Sequence, residues 1–275
     1  MTEAAGFKIA KMRMVQLSKA DAERFYGVHA GRPFFETLTT MMSSGRVVAM
    51  ELVKEDAIQA WRDLIGPTDS AVAREEAKGS IRARFGVDKT QNACHGSDAP
   101  ETAAEECAFF FGEGSEGMGQ CFTLSNTTLG LIKPHLLLDG CLGAALAQIQ
   151  EHFEITAAQV FAITTTDAAD FLEVYRGVVP ASEFHDTMHD LASGPFCAVE
   201  VAVKGDPSLP ACEGFRELCG PRDPELARLL RPDTLRARFG KDKVKNAVHC
   251  TDLEEDSPLE VEYFFKLLAS VPAAC

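Results

Sequence analysis

The chain has 275 residues, 46% hydrophobic and 25% charged, a balance that suits folded globular protein and allows one large domain or two ordinary ones. Its formal net charge of −14 opposes broad contact with nucleic acid or an anionic membrane, both polyanions, while leaving room for a small anion held by a few local arginines. Nine cysteines, an odd number without any C-x-x-C pair, argue against a zinc ribbon or a disulfide framework and read as reduced, mostly buried thiols of an intracellular protein. No stretch approaches the roughly 20 apolar residues that cross a bilayer, and the opening MTEAAGFKIAKMRM lacks a signal peptide's apolar run, so a cytoplasmic setting is expected.

In chain order, FKIAKMRMV reads as a strand, a helix is expected from Ser18, and RVVAMELV from Arg46 reads as a second strand. The glycine-rich run GEGSEGMGQ at 112–120 reads as a linker. Beyond it come a strand, TTLGLIKP, a helix over GCLGAALAQIQEH, a further helix opening near Asp167, and the strand FCAVEVAV. Alternating strands and helices argue for an α+β or α/β fold.

The chain also repeats itself. GPTDSAVAREEAKGSIRARFGVDKTQNACHGSD from Gly66 lies over GPRDPELARLLRPDTLRARFGKDKVKNAVHCTD from Gly220, and His95 and His249 stand 154 residues apart (249 − 95 = 154). SGRVVAMEL at Ser44 matches SGPFCAVEV at Ser193, and AERFYGVHAG at Ala22 matches AADFLEVYRG at Ala168. Two copies of this length are a duplicated domain and not a solenoid. Expected boundaries are 1–112 for the first domain, 113–125 for the linker and 126–275 for the second. The first copy has only six residues before Phe7, where the second has a strand and a helix before Phe153, so the first is expected to lack its opening strand and helix.

Each copy sets two arginines upstream of one histidine: Arg62, Arg82 and His95, with Thr68 as a hydroxyl donor, then Arg216, Arg236 and His249. Neutral imidazole is nucleophilic near pH 7 and arginines neutralise a moving phosphate, so the set suits phosphoryl transfer. Glu106 and Glu260 follow their histidines by eleven residues, on the next helix, where a carboxylate can orient an imidazole. His185 and His189 share a helical face as metal ligands would, but no third ligand accompanies them. No P-loop or dinucleotide fingerprint occurs.

NACHGSD (92–98) and NAVHCTD (246–252), with GRPFF at Gly31, GPTD at Gly66 and GSIRARFG at Gly79, resemble the active-site motifs of the nucleoside diphosphate kinase family, and the resemblance covers nearly the whole chain. The family implies two tandem ferredoxin-like βαββαβ domains. It also implies ping-pong transfer of the γ-phosphate of a nucleoside triphosphate to a nucleoside diphosphate through phosphohistidine, with Mg²⁺ carried on the phosphates and not by a protein cage. Carried over, His95 and His249 are the nucleophiles, positioned by Tyr26, Glu106 and Glu260. Phe34 stacks on the base, Asn92 and Asn246 reach toward ribose, and Arg62, Thr68, Arg82, Lys133, Arg216 and Arg236 hold the nucleotide. The second copy departs from the pattern with Leu172 in place of Tyr26, Arg222 for Thr68 and Cys250 for Gly96, and Phe184 is the nearest aromatic to the Phe34 position. The tandem layout resembles a ciliary branch of the family associated with axonemal microtubules, tubulin and the γ-tubulin ring complex. That implies a cytoskeletal or ciliary location, and an alternative role in which catalytically weak domains act as binding modules.

Overall fold

The structure, a computed structural model, describes residues 1–115 and 118–270. Its contacts divide the chain into Met1–Gln120 and Cys121–Cys275, here unit 1 and unit 2.

Unit 1 contains strands β1 (Lys8–Gln16) and β2 (Arg46–Val53) and helices α1 (Lys19–Phe25), α2 (Phe35–Ser43), α3 (Ala57–Ile65), α4 (Ser70–Glu76), α5 (Ile81–Phe85) and α6 (Pro100–Phe111). The strands pair antiparallel from Lys8↔Val53 to Gln16↔Arg46, with a register shift between Ile9 and Lys11. Ser18 caps α1 as its spacing predicts, its hydroxyl accepting from the Asp21 backbone N–H. Arg13 on β1 is buried, and its guanidinium donates to the Ser115 carbonyl at 2.6 Å.

Unit 2 begins with β3 (Thr127–Ile132), α7 (Pro134–Leu138), α8 (Leu142–His152) and β4 (Phe153–Phe161). Helices α9 (Thr165–Phe171) and α10 (Ala181–Leu191) lead to β5 (Phe196–Val203). Helices α11 (Ala211–Cys219), α12 (Pro224–Leu230) and α13 (Leu235–Phe239) lead to β6 (Val248–Cys250), and α14 (Ser257–Glu262) closes the unit. The strands lie in the order β4-β5-β3-β6 with every neighbour antiparallel, which is the ferredoxin-like βαββαβ arrangement. The bulge of unit 1 recurs at the matching place, between Ile155 and Ala157, so it belongs to the repeated architecture.

Every residue of β3 is buried, which explains why TTLGLI shows no alternation of apolar and charged positions. Helix α11 packs so closely on it that a β-carbon at Gly130 would sit 2.6 Å from Phe215 Cζ, and only glycine fits there. Phe196, Phe215 and Phe264 are fully buried, each contributing about 1.5–3 kcal/mol by leaving water. Glu200, in the middle of β5, is fully buried too. Its carboxylate accepts from the Thr123 and Leu124 backbone N–H groups and from the hydroxyls of Thr127 and Thr156, and so ties the segment entering β3 to the sheet.

Two expectations need correction. Helix α9 opens at Thr164, whose hydroxyl accepts from the Asp167 N–H while the Asp167 carboxylate accepts from the Thr164 N–H. Asp167 is therefore the third residue of a capping box and not the cap. Of the eight described cysteines, four are buried (Cys197, Cys212, Cys219 and Cys250) and four are partly exposed, so the thiols are not mostly buried.

The first domain is the leaner one, as expected: among the described residues unit 1 has two strands, and β1 is the first of them. In unit 2 the histidine-bearing β6 is a strand because it pairs with β3, His249 lying opposite Leu131. Unit 1 has no described counterpart of β3, and its segment Cys94–Gly96 is not in a strand.

Candidate active sites

In each unit one histidine is held by one carboxylate. His95 Nε2 lies 2.8 Å from Glu106 Oε1, and His249 Nε2 lies 3.1 Å from Glu260 Oε2. A carboxylate accepting from Nε2–H fixes the tautomer whose lone pair is on Nδ1, the form in which imidazole attacks phosphorus. Each carboxylate is braced by a hydroxyl two residues after the histidine: Ser97 Oγ donates to Glu106 at 2.5 Å and Thr251 Oγ1 to Glu260 at 2.9 Å. These braces lie inside the two motifs, but nothing in the spacing alone assigned them a role. Burial pushes the Glu106 carboxyl up, yet the hydrogen bonds from His95 and Ser97 outweigh it and leave the group below its ordinary value. The second pair is the better shielded, with side chains 15% and 12% exposed against 43% and 26% for His95 and Glu106.

The backbone before each histidine is strained in the same way. Ala93 has φ 71° and Ala247 has φ 76°, in the left-handed region that side chains disfavour. The next clamp is an arginine: Arg82 donates to the Gly66 carbonyl at 2.8 Å and the Cys94 carbonyl at 2.9 Å, and Arg236 to those of Gly220 at 2.7 Å and Val248 at 3.0 Å. Gly66 and Gly220 end α3 and α11 at φ 79° and 80°, where a β-carbon would collide with Ser80 or Thr234. These glycines therefore aim the carbonyls that orient the arginines. Arg62 and Thr68 are exposed, and Arg62 lies near enough to Arg82 to depress its pKa, after burial and against Cys94.

Tyr26 is buried and its phenol is pushed up to about 12 by burial and the Glu106 charge; its ring meets His95 edge-on at 6.0 Å, beside Phe25 at 5.7 Å. Phe34 is 48% exposed, its open face suited to stacking. Asn92 donates to the Thr68 and Lys89 carbonyls.

Unit 2 encloses a cavity of about 1000 Å³ lined by Lys133, Arg216, Arg222, Arg236, Asn246 and His249, among others. Lys133 is almost wholly buried and pairs with Asp190 at 3.3 Å. Burial depresses its ammonium, Asp190 opposes that shift, and Arg236 and Arg222 reinforce it. Arg216 is held by the Asp252 carbonyl and by its carboxylate at 3.6 Å. Asn246 donates to the Arg222 carbonyl at 3.4 Å, while its buried Oδ1 has no hydrogen-bond partner among the described residues.

Here two sequence expectations change. Leu172 does not leave His249 without a tyrosine, because a 3₁₀ turn at Glu173–Tyr175 brings Tyr175 to 6.1 Å from the imidazole, beside Phe171 at 5.2 Å. Its phenol is pushed up by burial and the Glu260 and Asp252 charges, the same environment as Tyr26. Phe184 is not an open stacking surface either: it is buried, with the Arg176 guanidinium over its ring at 4.8 Å. Counted back from the matching SG pairs at Ser44 and Ser193, Phe184 is the counterpart of Phe35, and Glu183 stands in the place of Phe34. Glu183 forms an ion pair with Arg222, the residue in the place of Thr68, so an acid–base pair replaces an aromatic and a hydroxyl. His185 and His189 stack on one another at 6.3 Å, and no group of three or more His, Cys, Asp or Glu among the described residues is arranged to hold a metal.

Both units thus share one geometry, a histidine fixed by a carboxylate beside an arginine held by backbone carbonyls. The sequence profile of nucleoside diphosphate kinase matches residues 1–115 and 126–269, and the chain belongs to that family. Over 270 residues, 98% of this chain, it is 48% identical to nucleoside diphosphate kinase homolog 7 of Rattus norvegicus, 67% of which is covered. Over 111 residues, 40% of this chain, it is 53% identical to the nucleoside diphosphate kinase of Desulfatibacillum aliphaticivorans, covering 78% of that protein. The crystal structure of the Aquifex aeolicus nucleoside diphosphate kinase is 36% identical, covers 53% of this chain and 98% of its own, and has a TM-score of 0.46.

Proposed function

We propose that the chain transfers the γ-phosphate of a nucleoside triphosphate to a nucleoside diphosphate through phosphohistidine, with His249 as the principal nucleophile. The observation that carries this reading is the His249–Glu260–Thr251 chain at the edge of a cationic cavity. Glu260 accepts from Nε2–H and disperses the positive charge that develops on the ring as Nδ1 bonds phosphorus. Arg216, Arg236 and Lys133 take up the negative charge on the phosphoryl oxygens and the leaving diphosphate. The same contacts serve the reverse step, in which a diphosphate takes the phosphoryl group from the ring. Mg²⁺ would come with the nucleotide and not with a cluster of protein ligands, and would supply charge neutralisation on the phosphates.

In this reading His95 accepts phosphate more slowly. Its imidazole and carboxylate are more exposed, and no lysine corresponding to Lys133 stands beside it among the described residues. Against that, unit 1 keeps Phe34 and Thr68, whereas in unit 2 the Glu183–Arg222 pair replaces them and favours weak turnover, as in a second reading in which the domains serve as binding modules, on microtubules or γ-tubulin complexes. Acid-labile label from γ-³²P-ATP, measured on the intact chain and on His95→Ala and His249→Ala, separates the two. The kinase reading expects most of the label to vanish with His249→Ala, and no label on any form at saturating nucleotide and Mg²⁺ leaves the binding-module reading.

A further inference from the structure

The two units differ in the residue that follows the nucleophile. In unit 1 it is Gly96, where a β-carbon would lie 2.6 Å from Trp61 Cδ1 and 3.1 Å from Ile65 Cδ1. The residues 154 positions later are Cys250, Phe215 and Cys219. A side chain thus stands after His249, and the position facing it carries a second thiol in place of an isoleucine. Both cysteines are buried, 5% exposed for Cys250 and 0% for Cys219, yet Cys250 lines the cavity and is reached from it. Arg236 Nη2 donates to the Cys250 sulfur at 3.5 Å, and Cys219, on the helix packed against β6, is the thiol beside it. The neighbouring Cys219 thiol foremost, then the Arg236 guanidinium, hold Cys250 below the ordinary thiol range against its burial. Burial pushes Cys219 the other way. Cys250 is thereby the more acidic thiol of the pair and faces a guanidinium, a setting that favours thiol reactivity.

We propose that Cys250 and Cys219 are a redox-modified pair in the wall of the unit 2 cavity, oxidised by a small hydroperoxide to a disulfide beside His249. The Cys250 thiolate attacks one oxygen of hydrogen peroxide; an S–O bond forms, the O–O bond breaks, and hydroxide leaves and is protonated to water. Cys219 then gives up its proton and attacks the sulfenic sulfur. The S–S bond forms, the S–O bond breaks, and the departing hydroxide takes that proton as a second water. Two electrons pass from the thiols to the peroxide. Arg236 loses its anionic neighbour and keeps its hydrogen bonds to the Gly220 and Val248 carbonyls. The chemistry stands whether or not His249 transfers phosphate, and under the phosphotransfer reading it tunes the charge beside the nucleophile.

The test uses the full chain, titrated with hydrogen peroxide, alkylated with N-ethylmaleimide after unfolding, and mapped as non-reduced peptides. The expected result is a Cys219–Cys250 linked peptide that forms before partly exposed Cys94, Cys107 or Cys141 is oxidised. In Cys219→Ser, dimedone is expected to trap sulfenic acid at Cys250; in Cys250→Ser, the linked peptide disappears and Cys219 stays alkylatable. Cys250 remaining alkylatable while the exposed thiols are consumed overturns the proposal. A link from Cys250 to Cys212, whose thiol donates to the Thr251 carbonyl at 3.4 Å, overturns the assignment of Cys219.

Discussion

Replacing Glu260 by glutamine tests how much of the His249 chemistry depends on its carboxylate. Glu260 Oε2 receives both His249 Nε2 at 3.1 Å and Thr251 Oγ1 at 2.9 Å, so both contacts fall on the atom whose charge the amide removes. With His249 and Glu260 only 15% and 12% exposed, solvent screens the pair weakly, and a hydrogen bond to a charged group contributes about 1.5–3 kcal/mol. At about 1.4 kcal/mol per factor of ten, phosphorylation of His249 should slow by roughly 10- to 150-fold. Nucleotide affinity should hold, because Glu260 acts through the imidazole and not on the phosphates. The same change at Glu106 should slow His95 by about tenfold or less, since its partner is 43% exposed and water screens the charge. The assay is the single-turnover rate of acid-labile label from γ-³²P-ATP, measured for Glu260→Gln in a His95→Ala background. A rate within about twofold of the parent, with an unchanged thermal midpoint, would refute the claim that this carboxylate activates the ring.

Glu200→Ala leaves two backbone N–H groups and two hydroxyls without their acceptor and should lower unfolding free energy by about 3 kcal/mol or more, read from urea denaturation of the whole chain. Lys133→Met strands the buried Asp190 and should destabilise by about 3–5 kcal/mol; Lys133→Met with Asp190→Leu should recover much of that in the same measurement. Restoring the unit 1 pattern in unit 2 with Glu183→Phe and Arg222→Thr should tighten nucleotide binding there by about 2- to 12-fold through aromatic stacking, measured by calorimetry in a His95→Ala background. For pH, the Glu106 carboxyl is depressed in the fold, so its contribution to stability is present above the unfolded value of about 4.3 and lost as pH falls through the lower folded value. The thermal-midpoint gap between the parent and Glu106→Gln should therefore stay constant above about pH 5 and close only in acid.

The sequence made the repeat, the strand cores and the histidine sets legible because each is written locally. FCAVEVAV coincides with Phe196–Val203 and RVVAMELV with Arg46–Val53, where β-rich runs sit between turn residues. Strand β4 carries Thr, Ala, Ala and Gln at its middle, a weak strand signal, and is a strand through its pairing with β5. Strand β6 spans three residues and exists through its pairing with β3, which no local propensity announces. Within the sites, the histidine–carboxylate spacing was readable because it is eleven residues in both copies, from the histidine to the helix that follows it. Tyr175 was not readable, because it stands three residues after Leu172 and reaches His249 only through the 3₁₀ turn. Nor was the Glu183–Arg222 pair, which is masked by the insertion before α10 and joins residues 39 apart (222 − 183 = 39).

The central claim is that phosphate on the histidine is an intermediate and not an end point, and the direct test is a chase. The isolated ³²P-labelled chain, free of ATP, is mixed with an unlabelled nucleoside diphosphate and Mg²⁺, and the label is followed by rapid quench. Phosphotransfer predicts that the label leaves the protein and appears stoichiometrically as labelled nucleoside triphosphate, and that His249→Ala abolishes most of it. Label that stays on the protein, or departs only as inorganic phosphate, would contradict the account.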